Sequence, residues 1–141
     1  MEIELLTKKD INKLQAVFDD DNMIFYENNV NRFLETKNAY AFVAKEKDVV
    51  VGLAYGYSLV RLDGNVMFYL HSIGVLPSFQ KQGIGTKMMK YIVSFAKENS
   101  FSEVFVITDK GNISACKLYE KAGFENDIEN EIVYVLELLK K

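Results

Sequence analysis

The sequence predicts an α/β fold, a central mixed and mostly antiparallel sheet flanked by helices. Three observations predict it. Apolar runs of strand character follow one another closely between residues 40 and 75. Two later stretches repeat apolar residues at helical spacing around one short apolar strand. The 141 residues are 49% hydrophobic and 26% charged, an ordinary globular balance that allows a core. The length suits a single domain, 1–141. One proline and eight glycines mark no linker.

Each element has a local reason. Ile3 and Leu5 open a short edge strand. Thr7 followed by Asp10 reads as a helix cap with an acidic third position, and Ile11, Leu14, Val17 and Phe18 continue at helical spacing. The run Asp19-Asp20-Asp21 ends that helix. Asn28 to Lys37 reads as a second short helix, with Val30, Phe33 and Leu34 on one face. Tyr40 to Ala44 is a strand and Lys45 to Asp48 a turn. Val49 to Val60 is a long strand whose Gly52 and Gly56 mark bends or close approach. Asp63-Gly64 signals a hairpin into the strand Val66 to Val75, closed by Gly74 and Pro77. Gly83 to Asn99 is amphipathic helix, Glu103 to Ile107 a short strand of the parallel type, and Asn112 to Ala122 a helix with an asparagine cap. Gly123 stops that helix, and Ile132 to Leu138 reads as a final strand.

Composition excludes several functions. Seventeen basic and 20 acidic residues leave a net charge of −3 with no basic stripe, so no nucleic-acid partner is expected. A single cysteine, Cys116, and a single histidine, His71, argue against a metal site. Met1 to Lys9 lack the basic start and apolar run of a secretory signal. No apolar run approaches the ~20 residues of a membrane span. A cytoplasmic protein without membrane contact is expected.

The informative loop runs from Val75 into a helix through Gln80-Lys81-Gln82-Gly83-Ile84-Gly85-Thr86. Glycines at a helix start leave backbone N–H groups unobstructed, and those groups have no partner inside the helix. With the helix dipole they suit a pyrophosphate. Thr86 adds a hydroxyl, and Lys81 and Lys87 add charge. A P-loop lacks its register here, and Met88 stands where a dinucleotide fingerprint needs its third glycine. A glycine-softened helix start without ligand is the alternative. A second patch, Asn112, Ala115, Tyr119 and Gly123-Phe124, falls at fixed helical offsets.

Together, Gln80-x-x-Gly83-x-Gly85 and the Asn112 to Phe124 pattern resemble the GNAT superfamily of N-acetyltransferases. The resemblance implies a three-layer sandwich whose sheet splits into a V, and acetyl-CoA as cosubstrate without a metal. Acetyl-CoA would lie between the strand ending at Val75 and the strand beginning near Glu103. Its pyrophosphate would rest on backbone N–H groups of Gln82 to Thr86, and its pantetheine arm would pair with Ile73, Gly74 and Val75 as a peptide adds to a sheet edge. A bulge fitting Ser72 to Gly74 would free an N–H to polarise the thioester carbonyl. Asn112 would hydrogen-bond the pantetheine. Tyr119 would protonate the leaving thiolate; the alternative is a core tyrosine with its hydroxyl at the edge.

Amine acetylation also needs the amine neutral. Many relatives carry a carboxylate on the bulged strand where Ser72 stands, and serine is no comparable base. His71 is the leading substitute, against a packed strand histidine. Glu27 and Tyr69 are further candidates for the acceptor side; a solvated carboxylate and a packed aromatic are their alternatives. Cys116, one residue past Ala115, fits a small packing residue better than a nucleophile.

The segments Arg32-Phe33-Leu34, Asp48-Val49-Val50-Val51-Gly52 and Tyr69-Leu70-His71-Ser72-Ile73-Gly74-Val75 are similar to those of small aminoglycoside 3-N-acetyltransferases. Asp19, Asp20, Asp21, Glu27 and Asp63 would attract a polycation or simply form solvated faces. The expected activity is N-acetyl transfer from acetyl-CoA to a primary amine of a small molecule. Peptide acetylation and a non-catalytic acetyl-CoA sensor are the alternatives. Monomer and homodimer are both compatible with the sequence.

Overall fold

A computed structural model describes residues 1–126 and 132–139. Five strands form one sheet in the order β1-β2-β3-β4-β5. They are β1 (Glu2–Leu5), β2 (Ala39–Glu46), β3 (Val49–Val60), β4 (Val66–Val75) and β5 (Glu103–Val106). The first four pair antiparallel, and β5 pairs parallel to β4. The β2–β3 turn is tighter than the expected Lys45 to Asp48: only Lys47 and Asp48 lie between the strands, and both take left-handed φ, 49° and 70°.

Helices cover both faces. The long α3 (Ile84–Glu98) buries Ile84, Met88, Met89, Ile92 and Ala96 against Phe42, Val51, Phe68 and Leu70 of the sheet. Its apolar positions recur three and four apart, so they form one stripe. The opposite face is covered by a 3-10 segment (Lys8–Lys13), α1 (Gln15–Asp20) and α2 (Glu27–Glu35), through Ile11, Leu14, Val17 and Val30 on Val43 and Val50. The last helix, α4 (Ile113–Lys121), is capped as expected: Ala115 N–H donates to Asn112 Oδ1 at 3.1 Å.

Three expectations are corrected: the Thr7–Asp10 cap, the turn at Lys45 and the strand at residues 132–138. Thr7 occupies a cap position but its side chain makes no capping hydrogen bond. Asp10 is instead buried, at 1% exposure, where Lys45 Nζ lies 3.1 Å from Oδ2 and Lys13 Nζ 3.1 Å from Oδ1. Ion pairing outcompetes the local cap. Lys45, turn material by sequence, belongs to β2 and also bonds Glu4 Oε1 at 2.7 Å. Residues 132–138 carry no strand and are exposed. Ile132 to Leu136 is apolar at every position, a pattern that pairs stably only where both faces are covered.

Burial would raise the Asp10 carboxyl, but hydrogen bonds from Lys13 and Lys45 outweigh it and hold the pKa low. A lowered carboxylate pKa stabilises the fold above the unfolded value of ~3.9, and that contribution is lost as pH falls through the folded value. Asp10→Ala is expected to cost roughly 2 kcal/mol, less than the ~3–5 kcal/mol of a fully orphaned buried partner because Lys45 keeps Glu4. Urea melts at pH 7 and pH 3 check this. The difference between wild type and variant should shrink at the lower pH, and an equal difference at both would contradict it.

Candidate active site

The site begins where β4 loses its second neighbour. β4 pairs β5 only from Met67↔Glu103 to Leu70↔Val106. β4 then continues to Val75 while paired to β3 alone, down to Gly52↔Val75. Beyond Leu70, one edge of Ile73, Gly74 and Val75 therefore has no strand beside it among the described residues. This is the V-shaped opening that the sequence implied. A Cβ placed on Gly74 would meet nothing within 4 Å, so the backbone faces open space there.

The bulge lies one step earlier than expected. Tyr55 pairs Ser72 and Gly56 pairs Leu70, which leaves His71, not Ser72 to Gly74, as the extra residue. The local cause is Gly56: a Cβ there would stand 2.1 Å from the Tyr69 carbonyl oxygen. Without a side chain at that position the strands close up beside the bulge. His71 is exposed, and its Nδ1 shares a hydrogen bond of 2.9 Å with the Tyr69 hydroxyl. Tyr69 in turn stacks on Phe105 of β5 at 5.1 Å. Tyr55, Tyr57 and Phe33 extend this into an aromatic wall that also touches His71.

The loop after β4 is built for backbone exposure. Lys81 and Gly83 both take left-handed φ, 62° and 80°, and Gly83 caps α3. A Cβ on Gly83 would meet nothing. Gly85 faces α4, where a Cβ added to it would lie 3.5 Å from Leu118, so it seats α4 against the start of α3. Gln80 and Gln82 spend their side chains on the loop itself: Gln80 Nε2 donates to the Val75 carbonyl at 2.9 Å, Gln82 Nε2 to the Ser78 carbonyl at 3.5 Å. Thr86 is half-buried in the first turn of α3.

On α4, Asn112 uses Oδ1 as the cap, and its NH₂ donates no hydrogen bond among the described residues. Ala115 and Tyr119 follow on the same helix side and are half-buried. Burial, then the neighbouring Cys116, raises the Tyr119 pKa, so the phenol keeps its proton at neutral pH. Cys116 lies against the chain, its Sγ 3.7 Å from the Asp109 carbonyl.

A small cavity of about 30 Å³ sits on the α1 side of β4. Ser72, Gly74, Val75, Tyr55, Asp20 and Asp21 contribute to its lining. Ser72 is thus brought to the end of α1. Glu27 is exposed in the first turn of α2, and neither it nor Tyr69 nor His71 lines the cavity. Asp20 and Asp21 are legible in the sequence only as an acidic run; nothing in their spacing indicates Ser72 as a neighbour. No group of three or more metal-binding side chains is found among the described residues, and none of their helices is long and apolar enough to cross a membrane.

Comparison with known proteins agrees with this geometry. The chain is 28% identical to an aminoglycoside acetyltransferase from an uncultured soil metagenomic sample, solved in complex with sisomicin, with a TM-score of 0.80 over 99% of this chain and 96% of that one. It is 33% identical over 86 residues to "Probable N-acetyltransferase san" of Drosophila melanogaster, covering 60% of this chain and 46% of that protein. It is 34% identical over 65 residues to streptothricin acetyltransferase A of Bacillus subtilis, covering 46% and 38%. The chain spans less than half the length of these two curated relatives. The model of the acetyltransferase (GNAT) family matches residues 7–124, which take in the parted strands, the glycine loop and α4, and the chain belongs to that family.

Proposed function

We propose that the chain transfers an acetyl group from acetyl-CoA to a primary amine of a small molecule. The observation that carries this is the edge of Ile73 to Val75, unpaired among the described residues and followed in the chain by the left-handed glycine loop. The pyrophosphate would rest on the first N–H groups of α3, from Gln82 to Thr86, with Lys81 beside them. The pantetheine amides would pair with the open β4 edge and with the Asn112 NH₂. Ala115 leaves room for them on α4. The Gln80 side chain braces the end of β4 from behind, so its part is to hold Val75 in place.

The reaction joins the amine nitrogen to the thioester carbonyl carbon and breaks the carbon–sulfur bond. Tyr119 holds the proton that the departing thiolate needs, and burial keeps it there at neutral pH. The likeness to the sisomicin-bound enzyme and to a streptothricin acetyltransferase favours a cationic amine as acceptor.

Thiol release from acetyl-CoA, scanned over sisomicin, streptothricin, spermidine and a short peptide, tests the reading. Release with the small amines is expected, and release with the peptide alone would favour peptide acetylation. Gly83→Val is expected to weaken acetyl-CoA binding about tenfold, since a β-branched residue resists φ of 80° and covers the N–H groups. Unchanged binding would remove the loop from the site.

A further inference from the structure

Asn112 has two tasks. Its Oδ1 accepts the Ala115 N–H and caps α4, which leaves the NH₂ for a ligand. With Oδ1 committed, that NH₂ is aimed by the backbone of Asn112 itself. A cap residue lies outside the helix, here at φ −83° and ψ 77°, so the helix does not hold its N–H. The segment before α4 must hold it.

One residue of that segment does so twice. The Asn112 N–H donates to the Asp109 carbonyl at 2.9 Å, closing a four-residue turn over Lys110 and Gly111. The Gly111 N–H donates to Asp109 Oδ1, also at 2.9 Å. An aspartate that opens a turn can bond the backbone two residues on, so side chain and carbonyl close the same turn. Gly111 has the most backbone freedom to lose, and the carboxylate tethers that residue. The Cys116 thiol, from within α4, donates to the same Asp109 carbonyl at 3.7 Å. Asp109 itself is exposed, and among the described residues its carboxylate accepts this one hydrogen bond and forms no ion pair.

We propose that Asp109 is a positioning residue for the pantetheine arm of acetyl-CoA: its carboxylate fixes the turn that aims the Asn112 NH₂. The inference rests on the acetyl-transfer reading above. Asp109 acts through Asn112 and takes no part in the transfer itself. Without Oδ1 the exposed Gly111 N–H turns to water, the turn loosens, and Asn112 must be ordered when the ligand binds. One such hydrogen bond is expected to govern about a fivefold change in affinity.

The test is calorimetric titration of Asp109→Ala, Asp109→Asn, Asn112→Ala and the Asp109→Ala, Asn112→Ala double variant with two probes. One probe is acetyl-CoA. The other is the 3′-phosphate of ADP, which keeps the pyrophosphate and lacks the pantetheine. Asp109→Ala is expected to bind acetyl-CoA about fivefold more weakly and the nucleotide within twofold of wild type. Asp109→Asn should match wild type within twofold for both probes, because its Oδ1 still accepts from Gly111. In the Asn112→Ala background, Asp109→Ala should cost nothing further, since both act through one contact. Equal weakening of both probes by Asp109→Ala would make the residue a general support of the loop and overturn the inference. So would failure of Asp109→Asn to restore affinity, or unchanged acetyl-CoA binding in Asp109→Ala. Binding of neither probe by the wild-type chain would overturn the acetyl-transfer reading as well.

Discussion

Gly56→Ala is expected to destabilise the chain by roughly 3 kcal/mol or more, at the upper end of what overpacking costs. The added Cβ would stand 2.1 Å from the Tyr69 carbonyl oxygen, 3.0 Å from Leu70 Cα and 3.0 Å from Phe68 Cζ. Two of these are backbone atoms, which no side-chain rotation can move away. Relief requires β3 and β4 to separate at the bulge, breaking the pairing that continues to Gly52↔Val75. The damage would therefore reach the open edge of Ile73 to Val75 as well as the core. Gly74→Ala is the matched comparison, because its Cβ meets no protein atom within 4 Å. That variant should melt close to wild type while losing acetyl transfer by obstruction of the gap. Denaturant midpoints for the two proteins check the pair. A Gly56→Ala midpoint within about 0.5 kcal/mol of wild type would mean the strands are less closely joined than described.

Tyr119→Phe is expected to lower kcat about 100-fold, within the usual range for losing a positioned proton donor. Binding of acetyl-CoA should change less than threefold, because the ring and its contact with Phe124 at 6.0 Å remain. The direction of the Tyr119 pKa sets a further expectation. The phenol must be protonated to donate, and burial raises its pKa above the ordinary ~10. Wild-type kcat should therefore not decline on account of this group up to about pH 10. Retention of full turnover in the phenylalanine variant would assign thiolate protonation to solvent.

The fold is legible where period and punctuation agree. The bounds of β3 and β4 match the residues marked by β-branched and aromatic runs, and α3 and α4 lie within a residue of the helical spacing. Local chemistry decides such elements, so the sequence carries them. The glycine loop is legible for the same reason, since left-handed φ at Gly83 is a property of that residue. Sequence alone places the bulge one residue late, because its position depends on how closely Gly56 approaches Tyr69 across the sheet. It also assigns Asp10 to a cap, because it shows that residue's neighbours in the chain and not Lys45, 35 residues away.

By itself, then, the sequence determined the order of strands and helices from β2 to α4, the glycine loop and the Asn112–Tyr119 spacing. Each of these follows from backbone preference or from periodicity within about a dozen residues. Only the tertiary structure decided which groups meet beside Ser72. It brought the acidic end of α1 to Ser72 across some fifty residues of chain, and it left Glu27 outside the cavity. Side-chain partners at that separation are chosen by how two layers pack on one sheet, and no local pattern encodes that choice.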